Sequence, residues 1–164
     1  MSAVSPLKWY LIAITAAAFD QTTKLAVLHL MPLGDSIPIT GFFNFVHARN
    51  TGAAFSFLAN AGGWQRYFLA ATALAISAWI AVMLRRRLPT AEARAFALIL
   101  GGALGNVADR IAKGHVVDFL DFHWNGMHWP AFNFADVCIT AGVTLLITGV
   151  GRSSSNTEQQ PGAR

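Results

Sequence analysis

The stretch AFALILGGALGNVADRIA, residues 95–112, largely decides how this chain folds. Its first part is strongly apolar, and its length approaches the roughly 20 residues that a helix needs to span the hydrocarbon of a bilayer. Gly101 and Gly105 are four residues apart, a spacing that allows another membrane helix to approach closely. The stretch then becomes polar at Asn106, Asp109 and Arg110. The sequence therefore predicts a membrane helix whose last turns carry polar side chains.

Three further apolar runs, at about 9–30, 67–84 and 135–150, have similar lengths. The chain of 164 residues is 54% hydrophobic and 12% charged, whereas roughly 25% of the residues of a soluble domain are charged. We therefore predict an α-helical integral membrane protein with four transmembrane helices, formed by a single domain over residues 1–150. Residues 151–164 are polar and are predicted to form a disordered tail.

The positions of the basic residues predict the orientation in the membrane. They follow the second run within 85–94, precede the first run at Lys8 and follow the fourth at Arg152. With four spans, all of these residues lie on one side, which Lys and Arg mark as cytoplasmic. Both termini are then cytoplasmic, and residues 31–66 and 113–134 face outward. The basic residues form no long face with interleaved polar contacts, so nucleic acid is not an expected partner.

The first outward stretch has features of regular structure. Residues 36–46 are rich in β-branched and aromatic side chains with Gly and Pro between them, which predicts a small extracytoplasmic β-sheet. Residues 58–66 include Trp64, a residue type favoured at the membrane interface, and we expect an interfacial helix there.

The first apolar run has an alternative interpretation as a secretory signal peptide, because a basic residue precedes an apolar core and small residues. Its apolar character continues beyond that site, however. Asp20 and Lys24 are four apart, so they share one helix face and can form a pair. This pairing favours a retained helix with an inward-facing polar side.

Two acids, Asp118 and Asp136, lie at the outer ends of apolar stretches. An acid near hydrocarbon is costly and therefore suggests a function. If the two lie within a few ångströms, they share one proton, and such a pair can take a proton from water and give one to a leaving amine. The alternative is that Asp136 only caps a helix and Asp118 is a solvated loop acid. Charge placement alone does not decide between these interpretations.

Two other functions also account for the polar residues. A metal-dependent hydrolase would use nitrogen and oxygen ligands from the His-rich stretch, although their spacing matches no compact zinc pattern. A small transporter or channel subunit would use a polar path through the helices, although no polar stripe crosses the second run. The metal candidates are His115, Asp118, Asp121, His123 and His128. The path candidates are Asp20, Lys24, Asp109, Arg110 and Asp136. The single cysteine, Cys138, allows neither an internal disulfide nor a Cys-based metal site.

Five motifs, in order and at the ends of the apolar runs, together resemble the lipoprotein signal peptidase family, also called signal peptidase II. They are DQTTK at 20–24, NTGAAF at 50–55, GGALGNVADR at 101–110, GHVVDF at 114–119 and FNFAD at 132–136. The resemblance spans roughly residues 8–150.

The resemblance implies an aspartyl endopeptidase of the bacterial inner membrane with its active site at the periplasmic face. Such an enzyme removes the signal peptide from diacylglyceryl-modified prolipoproteins, cutting before the lipidated cysteine. By this similarity Asp118 and Asp136 match the catalytic dyad, and Asp20 and Lys24 match a structural polar pair. The positions that line or brace the site are Asn50, Gly102, Asn106, Asp109, Arg110, Asn133 and Ala135. The expected partners are lipidated substrates and membrane lipid, the chain is expected to be a monomer, and no metal or cofactor is expected. No role is assigned to residues 121–129.

Overall fold

The computed structural model describes residues 6–52 and 62–155, with side chains as far as residue 149. Four helices and four strands occur in these residues. In chain order they are α1 (Pro6–Leu30), β1 (Ser36–Thr40), β2 (Phe43–Asn50), α2 (Gln65–Met83), α3 (Thr90–Lys113), β3 (Val116–Trp124), β4 (Met127–His128) and α4 (Phe134–Ser155).

The helices confirm the prediction of a helical membrane protein. Within the described residues, α1, α2 and α3 are long and apolar enough to cross a membrane, and α4 contributes a shorter apolar stretch, Phe134–Gly149. Apolar side chains such as Leu11, Ile14 and Trp79 are exposed, as expected for surfaces that face lipid. Helix α3 begins five residues before the predicted run, directly after Pro89. Helix α4 continues to Ser155, five residues into the segment predicted to be a disordered tail, and residues 156–164 lie outside the described part.

Helix α3 is the central helix and packs against α1, α2 and α4. Gly101 allows the close approach to α1, since a Cβ at this position would lie 2.6 Å from the Ala13 carbonyl oxygen. Gly105 of α3 faces Asp20, which also belongs to α1. The predicted small-residue contact is therefore present, and it joins α3 to α1. Gly102 points the other way, toward the Ala135 carbonyl group of α4.

The four strands form one antiparallel sheet in the order β1-β2-β3-β4. Strand β1 and the first part of β2 lie in residues 36–46, for which the sequence predicts a sheet. The sequence did not predict β3, which pairs Ala48 with Asp118 and Asn50 with Val116. Val117 and Phe119 of β3 pack on Val27 and Met31 at the end of α1. The sheet therefore rests on one end of the helices and brings Asp118 there.

The interfacial helix predicted over residues 58–66 falls in part on the gap at residues 53–61, which lie outside the described part. In the described part of that segment, residues 62–64 form a turn, and Gln65 and Arg66 belong to the first turn of α2.

Candidate active site

Asp118 lies in the interior of β3 and is 2% exposed. The Asn133 side-chain amide donates to Asp118 Oδ1 at 2.6 Å, and the Asn50 amide donates to Asp118 Oδ2 at 3.0 Å. The alternative of a solvated loop acid is therefore wrong for Asp118. A carboxyl group with both oxygens engaged and almost no exposure is held in a defined position.

Asp136 lies in the first turn of α4. Its Oδ1 accepts a hydrogen bond from the Asn106 amide at 2.9 Å, and its Oδ2 accepts one from the Asn133 backbone N–H at 3.2 Å. The Asp136 backbone N–H in turn donates to Asn133 Oδ1 at 3.1 Å. This reciprocal arrangement is a capping box, which satisfies N–H groups that have no partner inside a helix. Asp136 thus caps its helix, and its carboxylate also reaches Asn106 on α3.

Asn133 brings the two acids together, because it contacts both. Asp118 and Asp136 also line the same cavity, of about 1130 Å³, together with Asn50, Asn106 and Arg110. Burial and then the charge of Asp136 raise the pKa of Asp118 from its ordinary value of 3.8 to about 7. Below about pH 7, such a pair retains a proton on Asp118. The arrangement can therefore accept one proton and supply another.

A second polar network is buried behind the two acids. Asp20, Lys24 and Asp109 are fully buried. Lys24 Nζ lies 2.8 Å from Asp20 Oδ2 and 3.3 Å from Asp109 Oδ2, and it donates to Asn106 Oδ1 at 2.8 Å. The predicted pair of Asp20 and Lys24 is present, but it belongs to a larger network that joins α1 to α3.

This network holds the backbone immediately before each acid of the cavity. Asp20 Oδ1 accepts the N–H of Ala135 at 2.9 Å, and Asp109 Oδ2 accepts the N–H of Val117 at 3.1 Å. Gly102 lies against the Ala135 carbonyl group, where a Cβ would clash. Gly102, Asp109 and Ala135, predicted to line or brace the site, therefore lie behind it and do not line the cavity.

Arg110 lines the cavity and binds the chain two residues after the end of β2. Its guanidinium group donates to the Gly52 carbonyl oxygen at 2.9 Å and to the Asn106 carbonyl oxygen at 3.4 Å. Gly52 and Asn50 belong to the motif at 50–55, of which residues 53–55 lie outside the described part. Of the predicted lining residues, the structure places Asn50, Asn106 and Arg110 in the cavity.

Sequence reasoning missed two members of the buried network. Lys113 Nζ lies 2.6 Å from Asp109 Oδ1, and the spacing of four residues on one helix was a signal that could have identified this pair. The Gln21 amide donates to the Gly105 carbonyl oxygen at 3.0 Å and to Asp109 Oδ1 at 3.3 Å. No spacing rule pointed to these two contacts of Gln21, because Gly105 and Asp109 belong to another helix.

The His-rich stretch does not gather into a metal site. His115 contacts the Lys113 carbonyl oxygen at 3.0 Å. His128 pairs with Asp121 at 2.9 Å and stacks on His123 with ring centroids 5.1 Å apart. Within residues 6–52 and 62–155, no three His, Cys, Asp or Glu side chains are grouped so that they could hold a metal ion. The donor set that the metal-dependent alternative needs is therefore not formed by these side chains.

The fold is that of a helical membrane protein, and two acids line its cavity. The family model for signal peptidase (SPase) II matches residues 12–151, and the chain belongs to this family of peptidases. This membership favours the predicted peptidase over a transporter or channel subunit.

Relatives and solved structures agree with this assignment. The chain is 48% identical to the lipoprotein signal peptidase of Aeromonas hydrophila over 160 residues, covering 96% of each chain. It is 54% identical to that of Ralstonia nicotianae over 140 residues, covering 85% of this chain and 81% of the relative. A bacterial membrane enzyme solved by the in meso method at 2.3 Å resolution has a TM-score of 0.83 and 31% identity, covering 95% of this chain and 94% of its own. A second bacterial membrane enzyme, solved at 1.9 Å resolution, has a TM-score of 0.75 and 33% identity, covering 87% of this chain and 92% of its own.

Proposed function

We propose that this protein removes the signal peptide from prolipoproteins by cutting before the diacylglyceryl-modified cysteine, with Asp118 and Asp136 as a water-activating dyad. The relatives are named lipoprotein signal peptidases, which supports this substrate class. The observation that carries the dyad is that both acids line one cavity and both bind Asn133.

The two acids have different surroundings, which assigns them different roles. Asp136 lies at the N-terminus of α4, where the helix dipole favours a carboxylate. The pKa of Asp118, near 7 because of burial and the charge of Asp136, keeps that group protonated below neutral pH. Asp136 therefore deprotonates a water molecule, which attacks the scissile carbonyl carbon. Asp118 donates a hydrogen bond to the developing oxyanion and then protonates the leaving amine.

The shape of the cavity suits a substrate that is held in the bilayer. From Asp136 the cavity follows α4 through Thr140 and Thr144 to Leu145, a length of about 14 Å at about 1.5 Å per helical residue. The Thr144 hydroxyl donates to the Thr140 carbonyl oxygen, so its polar group is already satisfied. The cavity thus joins an apolar wall to the acids at one end of the helices.

The orientation of the protein follows from the same proposal. The basic residues of the α2–α3 loop lie at the opposite end of α3 from the two acids, which supports a cytoplasmic loop and a periplasmic active site. Both termini are then cytoplasmic. That the enzyme is a monomer stays a prediction.

Replacement of each acid tests the dyad. D118N and D136N are purified in detergent and given a diacylglyceryl-modified prolipoprotein. The cleavage rate of each should fall by at least about 1,000-fold, because the reaction needs both proton transfers. The matched control is D121N, which removes a buried acid of the same strand that binds Asn44 and His128 and does not line the cavity. It should cleave at nearly the wild-type rate.

Wild-type activity in D118N or D136N, with folding verified by thermal unfolding, would refute the dyad. EDTA should leave cleavage unchanged. Loss of cleavage in EDTA, restored by zinc, would instead support the metal-dependent alternative.

A further inference from the structure

Lys24 lies at the centre of the buried network and contacts three side-chain oxygens. Asp20 Oδ2 and Asn106 Oδ1 are each 2.8 Å from its ammonium nitrogen, and Asp109 Oδ2 is 3.3 Å away. An ammonium group has three N–H donors and no acceptor, so these contacts use its full capacity. Two of them are ion pairs, one with Asp20 on the same helix and one with Asp109 on α3, and the third leads toward the dyad.

The contact with Lys24 determines which end of the Asn106 amide faces it. Because an ammonium group only donates, the carbonyl end of Asn106 must point toward Lys24. The amide nitrogen then points away and donates to Asp136 Oδ1 at 2.9 Å. Rotating the Asn106 amide by 180° would place its N–H groups against the Lys24 ammonium group and its oxygen against the Asp136 carboxylate.

The same logic orients Asn133. The Asp136 backbone N–H can only donate, and it binds Asn133 Oδ1. The Asn133 amide nitrogen is thereby directed at Asp118 Oδ1, and it also lies 3.3 Å from Asn106 Oδ1. Each acid thus receives an amide N–H whose direction is set by a donor-only group. For Asp118 this group is part of the backbone, whereas for Asp136 it is the side chain of Lys24.

We propose that Lys24 is a positioning residue for the dyad, which holds the Asn106 oxygen so that the Asn106 amide donates to Asp136. This inference rests on the proposed function, because it gives Lys24 a part in the same reaction. It also extends the structural role that the sequence suggests, since ion pairs with Asp20 and Asp109 alone would not require a contact with Asn106.

The charges near Lys24 define how its loss acts on the pH dependence. Asp20 and Asp109 contact it, Lys113 shares Asp109, and Arg110 lies one residue further along α3. Its charge also acts on Asp118 across the network. Without Lys24, the Asn106 amide is free to turn, and Asp136 loses both an oriented donor and a nearby cation. Both changes disfavour a carboxylate, so the acidic limb of the activity profile should move to higher pH.

The experiment uses a charge-balanced variant. D20N/K24M removes one acid and one base, while Asp109 keeps its ion pair with Lys113 at 2.6 Å. N106L removes the amide itself, and D20N/K24M/N106L completes a double-mutant cycle in which the charged pair is treated as one unit. The matched control is K113M, because Lys113 also binds Asp109 but has no contact with Asn106. The pH profiles of kcat and of kcat/KM are measured with a diacylglyceryl-modified prolipoprotein, beside thermal unfolding.

We expect D20N/K24M and N106L to shift the acidic limb upward alike, by roughly one pH unit, and to lower kcat by about 100-fold with little change in KM. The kcat of D20N/K24M/N106L should be less than about threefold below that of N106L, because both changes remove the same interaction. K113M should leave the position of the limb unchanged.

A purely structural Lys24 gives a different result. D20N/K24M would then lose activity without a shift of the acidic limb, or its loss of kcat would multiply with the loss caused by N106L. Either outcome overturns the inference. Wild-type cleavage by D118N or D136N refutes the proposed function itself. If D118N and D136N are inactive and the acidic limb of D20N/K24M is not shifted, only the role of Lys24 is refuted.

A measurement on the unaltered chain applies even if D20N/K24M does not fold. The chain has three lysines, Lys8, Lys24 and Lys113, so ¹⁵N labelling of the lysine side chains gives three Nζ signals, of which K113M identifies one. The inference requires the Lys24 signal to remain that of an ammonium group throughout the pH range in which the enzyme cleaves. A neutral Lys24 amine within that range, which is able to accept a hydrogen bond and so does not fix the amide, overturns the inference.

Discussion

At the scale of single residues, Asn133 shows how much of the site could be predicted. The motif at 132–136 marked Asn133 and Asp136 as neighbours, and spacing alone makes a cap plausible. The contact of Asn133 with Asp118 could not be derived in that way. It depends on β3, which places Asp118 beside the start of α4, and on Phe132, which bonds to Leu120 of the same strand. Family resemblance supplied the pair of acids, and the structure supplies their common neighbour.

The raised pKa of Asp118 predicts how cleavage depends on pH. In the proposed mechanism, Asp118 must carry its proton in order to donate to the oxyanion and the leaving amine. Because burial and the charge of Asp136 raise its pKa to about 7, the proton is present below that pH and is lost as the pH rises through it. The value of kcat/KM should therefore fall by about tenfold for each pH unit well above 7, the basic limb of a bell-shaped profile.

Initial rates between about pH 5 and pH 9 check this pH dependence, with D121N as the control that retains the same basic limb. A rate that stays constant or increases from pH 7 to pH 9 contradicts a protonated Asp118.

At the scale of elements, β3 is the part of the fold that the sequence did not reveal. Residues 114–123 carry two histidines and two aspartates, and one interpretation of the sequence made Asp118 a solvated loop acid. In the structure, four successive residues of this strand, Val116 to Phe119, are all buried. They are covered because β3 pairs with β2 and packs on α1, and a long-range arrangement of this kind leaves no alternating pattern in the sequence. A local signal was present in Asn125-Gly126, which form the turn to β4 with positive φ angles of 48° and 78°.

The packing of α3 on α1 predicts the effect of a single added methyl group. In Gly105→Ala the new Cβ would clash with the Asp20 carboxylate, so the ion network or the helix must move. We expect the free energy of unfolding to decrease by about 1–3 kcal/mol, and activity to fall because Asp20 holds the backbone of Ala135. The matched control is Gly149→Ala in α4, where the new Cβ would meet only the Ala91 Cβ at 4.0 Å.

The control should be neutral or more stable by up to about 1 kcal/mol, because alanine is the better helix former. Thermal and denaturant unfolding in detergent measure both variants. Equal stability changes in Gly105→Ala and Gly149→Ala would show that the contact between α3 and α1 is not tight.

At the scale of the whole molecule, length and apolarity were sufficient to predict the four helices, because these properties are set by the thickness of the bilayer. The buried ion network was predicted only in part. Asp20 and Lys24 are on one helix and obey a spacing rule, whereas their contacts with Asp109 and Asn106 depend on how α1 and α3 pack. Apolar periodicity does not specify that packing, and the small-residue pair of Gly101 and Gly105 indicated only that a close contact exists.

The proposed orientation predicts which loops a membrane-impermeant reagent can reach. In a Cys138→Ala background, Trp124→Cys in the β3–β4 hairpin should react with an impermeant maleimide when only the periplasmic side is accessible. Arg86→Cys in the α2–α3 loop should react only after the membrane is opened, since basic residues mark the cytoplasmic side. Mass spectrometry of the labelled protein gives both extents of reaction. The reverse pattern of labelling would contradict a periplasmic active site.

We propose that Asp118 and Asp136 act as one proton-sharing unit, and the double variant D118N/D136N shows whether they do. Cleavage of a diacylglyceryl-modified prolipoprotein is measured for the double variant beside D118N and D136N alone, each verified as folded. If neither acid functions without the other, the double variant should be no slower than the slower single variant, within about threefold. If the losses of activity in the two single variants multiply in the double variant, or if a single variant retains the wild-type rate, the two acids do not act as one unit.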